Sequence, residues 1–351
     1  MSGAKREGTP PCPYNRAMEP PAALCTSPAA PYAALTPDVV LDAIDSVGFA
    51  TDGRLQALNS FENRVYMVYR EDAPPLVAKF YRPARWTDEE IREEHAYALE
   101  LAASEIPVVA PLGRNGDTLH CHRGFRFAVY PKQGGRAPEF DRLDTLEWMG
   151  RFIARIHVVG AARRFARRPA IGVESFGTRP RAWLLAHASI PADLLPAWAA
   201  VTELALAGVE RCYRRAGAPG ELRLHGDCHA GNVLWTDDGP HFVDFDDTRS
   251  GPAIQDLWML LSGDRSEMTR QLHAVLRGYE DFRELDPREL YLVEALRTLR
   301  LIHYSAWLAQ RWSDPAFPAA FPWFGTQRYW QDRILELREQ VALMDEPPLA
   351  A

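Results

Sequence analysis

The stretch LRLHGDCHAGNVLW, residues 222–235, followed after a turn at Thr236–Gly239 by HFVDFDD, residues 241–247, decides how this chain is read. Asp227 sits in a loop between short strands, Asn232 follows it on the same loop, and Asp244 ends the next apolar strand. A tight hairpin brings the start of one strand beside the end of the other, so Asn232 and Asp244 can turn oxygen atoms towards one cation while Asp227 stands nearby. Oxygen-only ligands suit Mg²⁺, which prefers a carboxylate, several waters and substrate phosphates to a full protein cage. A metal that neutralises a triphosphate, beside a carboxylate that orients a hydroxyl, is what phosphoryl transfer requires.

Working outward, the chain turns helical on both sides of this β element. Helices are expected over 193–215, 254–262, 268–284, 287–312 and 329–344. Before it, Asp144 and Glu147 read as a capping box opening a helix whose apolar stripe is Trp148, Met149, Phe152, Ile153 and Ile156. Further upstream the pattern is β-rich. Thr36 and Pro37 open a short helix ending near Gly48. Two strands, 63–69 and 76–81, form a hairpin around a turn at Glu71–Pro75. Thr87 and Glu90 cap a helix running to about Ala103, and a further strand spans Phe125–Tyr130. The expected class is α+β, a bilobal protein-kinase-like fold with a small β-rich N-lobe and a larger helical C-lobe. The expected division is a disordered tail over 1–31, a nucleotide-binding lobe over 32–132, and a helical lobe over 133–351 carrying the catalytic loop and substrate cleft.

Composition agrees with that size. The 351 residues, 47% hydrophobic and 25% charged, can bury two cores and match neither a coiled coil nor a disordered chain. A net charge of −7 gives no global field for nucleic acid or anionic lipid. Five scattered cysteines lack any C-x-x-C pair, which argues against a disulfide framework or structural zinc. No run is apolar and long enough to span a membrane, and the N-terminus lacks a signal-peptide core. The expectation is a cytoplasmic monomer with no nucleic-acid or membrane partner.

The H-G-D-x-x-x-x-N loop followed by an apolar strand and D-x-D resembles the catalytic loop and metal Asp of the aminoglycoside phosphotransferase and choline kinase superfamily. The longer stretches LRLHGDCHAGNVLW and VDFDDTRSGPAIQDLWMLLSGD, with LNSFENRVY and VAKFYRPARW upstream, are similar to the bacterial stress response kinase A family, proteins assigned as Ser/Thr kinases. The resemblance implies ATP and Mg²⁺ as cofactors, a protein Ser/Thr or small-metabolite hydroxyl as acceptor, and autophosphorylation. It also implies Asp227 as proton acceptor, Asn232 and Asp244 as magnesium ligands, and Ser60 as a nucleotide contact.

Spacing adds a partial check. Lys79, on a predicted strand before the Thr87 helix, matches the kinase Lys that holds the α- and β-phosphates and pairs with a helix Glu. Glu94 flanks the apolar face of that helix while Glu93 points nearly opposite, so Glu94 is the expected partner. The strand ending at Tyr130 resembles the hinge whose backbone receives adenine. The segment 59–63 lacks G-x-G-x-x-G, so Ser60 would bind phosphate through its hydroxyl or backbone N–H. H-R-D and A-P-E are absent, and too few residues separate Asp244 from Asp256 for a long activation loop. Asp256 is expected to hydrogen-bond the catalytic-loop backbone. Cys228 reads as a small buried thiol, His157 as a satisfied core histidine, and Arg163–Arg168 as a solvated helix face.

Two other classes compete. Val243–Thr248 also fits the D-x-D-x-T motif of Asp-nucleophile phosphatases, and His225-x-Asp227-x-His229 a metallohydrolase. A nucleotide-binding pseudokinase acting as a regulatory module is the remaining alternative.

Overall fold

The computed structural model describes residues 31–350 apart from Ser189 and Ala218, so nearly all of the expected tail lies outside the described residues. The described chain divides into two compact units, one reaching Arg92 and including Pro111–Lys132, the other made of Glu93–Ala110 and the residues from Gln133 onward.

In the first unit, helix α1 (Pro37–Ser46) starts as expected, with the Thr36 hydroxyl accepting the Val39 N–H at 3.4 Å. Strands β1 (Thr51–Ala57), β2 (Arg64–Arg70), β3 (Ala73–Phe80), β4 (His120–His122) and β5 (Phe125–Pro131) form an antiparallel sheet in the order β1-β2-β3-β5-β4. Alternation along the strands decides its faces. Val68, Leu76, Ala78, Phe80, Phe127 and Val129 pack against Val39, Val40, Ala43 and Ile44 of α1. Val77, Lys79, Ala128 and Tyr130, paired across β3 and β5, therefore occupy the opposite face.

Sequence reading erred here in three places. Strands β1 and β4 were not anticipated: β1 is an exposed edge with no clean alternation to betray it, and β4 is only three residues long. The turn expected over Glu71–Pro75 shrinks to Glu71 and Asp72, and Pro74 and Pro75 belong to β3. The ladder slips by one residue between Val68 and Arg70, opposite those prolines, and such an irregularity tolerates missing N–H donors. Helix α2 (Asp88–Ala103) carries the capping box as read, Glu90 N–H to Thr87 Oγ at 3.2 Å and Thr87 N–H to Glu90 Oε2 at 2.8 Å.

The second unit contains α3 (Leu143–Ala161), α4 (Arg179–His187), α5 (Leu195–Ala216), β6 (Leu222–Arg223), β7 (Val233–Thr236), β8 (Gly239–Phe242), β9 (Ser250–Gly251), α6 (Ile254–Trp258), α7 (Arg265–Tyr279), α8 (Val293–Gln310), α9 (Ala316–Ala320) and α10 (Gln327–Leu343). Helices α3 and α7 meet backbone to backbone. A Cβ at Gly150 would lie 2.0 Å from the Val275 carbonyl oxygen, and one at Gly278 1.9 Å from that of Glu147, so neither position admits a side chain.

Three local expectations fail. The capping box at Asp144 does not form: α3 starts at Leu143, the Asp144 carboxylate takes the Thr145 N–H and the Arg142 guanidinium, and Glu147 pairs with Arg151 and Arg277. Trp148 leaves the apolar stripe and is 45% exposed, stacked on Phe152, while Met149, Ile153 and Ile156 are buried. Residues 163–168 are irregular chain, and Arg168 among them is buried.

Candidate active site

The loop between β6 and β7 is built from buried anchors. Gly226 has φ +87°, and a Cβ there would lie 2.3 Å from the Asp247 carbonyl oxygen, so only glycine fits before Asp227. Asp256, in the first turn of α6, accepts the His225 N–H at 2.8 Å on Oδ2 and the Gly226 N–H at 2.9 Å on Oδ1, as expected. His157, fully buried on α3, reaches the same Oδ2 at 3.1 Å through Nε2 and Tyr279 at 2.9 Å through Nδ1. It is the satisfied core histidine of the sequence reading. Glu289 in turn accepts the Ile254 N–H at the start of α6. Burial, opposed by that hydrogen bond, pushes the Glu289 carboxyl up to about 7.

His225 links this loop to the next strand. Its Nδ1 accepts the Asp227 N–H at 3.4 Å, which leaves the proton on Nε2 to be donated to the Val243 carbonyl at 3.0 Å. Asp227 itself is ringed by donors. Arg300 Nη1 lies 2.7 Å from Oδ1, while His229 Nε2 and Asn232 Nδ2 lie 3.3 and 3.4 Å from Oδ2. Burial is the strongest influence on this carboxyl and would raise its pKa. The His229 hydrogen bond and the Arg300 charge together outweigh it, and the pKa falls below the usual carboxylate value. The Gly231 N–H donates to His229 Nδ1 at 3.0 Å, which turns the ring's Nε2 towards Asp227. Cys228 is fully buried and its thiol pKa is raised well above normal by that burial, in keeping with a small packed thiol.

The hairpin of β7 and β8 pairs Val233 with Phe242, and one step beyond the ladder the Val243 N–H donates to the Asn232 carbonyl at 3.0 Å. Asn232 therefore stands beside the residue that precedes Asp244. Asp244 has φ +59° and ψ 66°, the left-handed region, which re-aims the chain into the short turn that follows. The Asn232 amide nitrogen donates to the Asp227 carbonyl at 2.9 Å, and among the described residues its Oδ1 accepts no hydrogen bond. One hard amide oxygen and one carboxylate fit a divalent cation that keeps waters and phosphates. Among the described residues no three His, Cys, Asp or Glu side chains gather as a metal group, so the metallohydrolase alternative gains no support there. The strand before Asp244 lies in an antiparallel hairpin and not in a wound parallel sheet, so the phosphatase alternative lacks its fold.

Glu94 forms a buried ion pair with Arg168 at 2.8 Å, and Arg168 also donates to the Asp246 carbonyl at 2.7 Å. Glu93 accepts the backbone N–H groups of Ala166, Arg167 and Arg168 at 2.5–2.9 Å, which commits it to that loop. In the first unit Lys79 is 6% exposed, with its Nζ 5.2 Å from the Tyr81 ring centre. Tyr130 hydrogen-bonds Tyr81 at 3.0 Å. Ser60 Oγ donates to the Leu58 carbonyl at 3.3 Å and accepts the Val65 N–H at 3.2 Å, so its hydroxyl serves the loop's own turn. Sequence reading missed Arg300, His229 and Arg168. His229 could have been found from its place two residues after Asp227, whereas nothing local marks the two arginines.

Residues 54–293 match the model of the phosphotransferase enzyme family. The chain is 47% identical over 318 residues to stress response kinase A of Salmonella choleraesuis, covering 91% of this chain and 96% of that protein, and 46% identical over the same spans to its Escherichia coli K12 counterpart. The Salmonella typhimurium relative, again 47% identical over 91% of this chain and 96% of its own length, is named serine/threonine protein kinase RdoA. The chain belongs to the stress response kinase A family. Among solved structures, an amicoumacin kinase bound to AMP-PNP and Ca²⁺ superposes with a TM-score of 0.69 at 18% identity, over 89% of this chain and 94% of that one. A microcompartment-associated aminopropanol kinase follows at 0.65 and 18%, over 88% and 97%. These likenesses establish the kinase-like phosphotransferase fold. A stress response kinase A family member is an ATP-dependent phosphotransferase that uses a divalent cation and an acceptor offering a hydroxyl. No helix among the described residues is long and apolar enough to cross a membrane.

Proposed function

We propose that this protein transfers the γ-phosphoryl group of ATP, with Mg²⁺, to serine or threonine hydroxyls of proteins, its own included, as a cytoplasmic monomeric kinase of a bacterial stress response. The observation that carries the reading is Asp227, a carboxylate kept ionised by His229 and Arg300 on a loop whose backbone is pinned by Asp256. The names borne by the 47%-identical relatives support a protein acceptor.

In this reading Asp227 accepts the proton as the acceptor oxygen bonds to the γ-phosphorus. The bond from that phosphorus to the bridging oxygen breaks, and its electron pair leaves with ADP. Asn232 and Asp244 would hold the Mg²⁺, which neutralises charge on the triphosphate. Lys79 would hold the α- and β-phosphates, with Glu94 in its support. Ser60, whose hydroxyl is already engaged, would contribute its backbone N–H, and the backbone at Tyr130 would take the adenine.

Incubation with γ-labelled ATP and a bacterial lysate tests the acceptor. Label in protein serine or threonine is expected, label confined to a small metabolite overturns the protein acceptor, and no ATP consumption leaves a regulatory module. Asp227→Asn should bind AMP-PNP as the wild type does while losing phosphotransfer on the order of 10²–10⁴-fold. Wild-type turnover in that variant would remove Asp227 from the role of base.

A further inference from the structure

Asp227 offers an incoming hydroxyl two unequal oxygens. A carboxylate oxygen has about two lone-pair positions. Oδ2 accepts Asn232 Nδ2 at 3.4 Å and is crowded by His229 Nε2, 3.3 Å away. Among the described residues Oδ1 carries only Arg300 Nη1, at 2.7 Å, which leaves one position open. A hydroxyl that gives its proton to Asp227 thus arrives at Oδ1, side by side with the Arg300 guanidinium.

Arg300 differs from the other arginines placed near this loop. Arg223 is 2% exposed and spends its donors on Glu100 and the Gly160 and Val159 carbonyls. Arg168 is buried between Glu94 and Asp246. Arg300, on α8, has a side chain 39% exposed, and among the described residues its hydrogen bonding is confined to one N–H on Asp227. A guanidinium has five N–H donors in a rigid fork. Four of them remain beside the point where the acceptor reacts, and they match a carboxylate. Asp247 acts the opposite way: it opposes ionisation of Asp227 and would repel an acidic acceptor.

We infer that Arg300 is a specificity-determining residue that selects acceptors carrying a carboxylate next to the reacting hydroxyl, an acid-flanked serine or threonine. This rests on the protein-kinase reading above for the kind of acceptor, but binding can be read without turnover. The test measures, by titration calorimetry on the AMP-PNP–Mg²⁺ complex, the affinity of serine peptides flanked by Glu, by phosphoserine or by Lys, for wild type, Arg300→Gln and Arg300→Lys.

The expected result is a preference of about tenfold for the Glu-flanked over the Lys-flanked peptide in the wild type. It should fall within about twofold in Arg300→Gln and be partly kept in Arg300→Lys, which retains the charge without the fork. In turnover Arg300→Gln should lower kcat for every peptide, because Asp227 loses its guanidinium partner, and should in addition raise KM for the Glu-flanked peptide alone. Equal wild-type affinities, a preference that survives in Arg300→Gln, or a preference for phosphoserine alone overturns the inference. So does a kcat loss shared by all peptides with no separate rise in KM for the Glu-flanked one, which would leave Arg300 acting through Asp227 alone. If the Glu preference and its loss are seen yet no peptide is labelled, the protein-acceptor reading falls and the role of Arg300 in recognition stands. Should Arg300→Gln fail to bind AMP-PNP, it is misfolded and the Arg300→Lys comparison decides: a preference as large as the wild type's overturns the fork, and a reduced one supports it.

Discussion

In the proposed reading the loop around Asp227 and the turn at Ser60 serve one phosphoryl transfer, yet they are held in opposite ways. The first is pinned from far along the chain: Asp256 lies about thirty residues on, and Arg300 is 73 residues from Asp227. Each contact is buried or half-buried. At the second, Ser60 closes the turn on Leu58 and Val65, its immediate neighbours. Beyond that turn the segment is fastened from elsewhere, with Asn63 accepting the Arg82 N–H at 3.1 Å, Glu62 pairing with Arg82 at 3.0 Å, and the Glu62 carbonyl accepting the Tyr32 hydroxyl at 3.1 Å. Proton removal needs a base placed to fractions of an ångström, whereas phosphates can be met by a loop that adjusts.

If that contrast is right, Asp256→Ala should do the most damage. It strips two buried N–H groups and His157 of their partner, and a loss of about 4 kcal/mol in urea unfolding is expected, together with most of the activity. Normal stability with lost activity would mean that Asp256 does not anchor the loop.

Next comes Glu289, which holds the start of α6 and hence Asp256. Its folded pKa of about 7 lies above its ordinary value of 4.5, so between those values the folded state binds more protons than the unfolded one. Stability from this group is complete below pH 4.5 and is lost as pH rises through 7. The loss reaches about 3 kcal/mol. Glu289→Gln keeps an acceptor for Ile254 without the titration, and denaturation from pH 5 to 8 should show a flatter profile than the wild type. An unchanged slope would remove Glu289 as its source.

Ser60→Ala should matter least, costing about 1 kcal/mol and raising the KM for ATP only a few fold. A loss as large as that of Asp256→Ala would erase the distinction between the loops.

Legibility in the sequence follows the same contrast. The hairpin that carries Asn232 and Asp244 was readable because turn chemistry and apolar alternation act over a few residues. The Thr87 cap was readable for the same reason. The Asp144 cap misled because Arg142, two residues away, competes for the same carboxylate. Arg300 and Arg168 could not be read at all, since only tertiary packing chooses the carboxylates they meet. Asp256 lies between these cases: its helix was visible and its backbone partners followed from its place after the catalytic strand.

The left-handed backbone at Asp244 sets a limit on improving this protein. An L-residue held there gives up roughly 1 kcal/mol, which glycine would recover in full and asparagine in part. Either replacement discards the carboxylate. A search for heat-resistant variants that ignores catalysis should therefore return Asp244→Gly and Asp244→Asn wherever the relieved backbone outweighs the carboxylate's own contacts, while one that demands phosphotransfer should return neither. The position marks where durability and use of the fold pull apart.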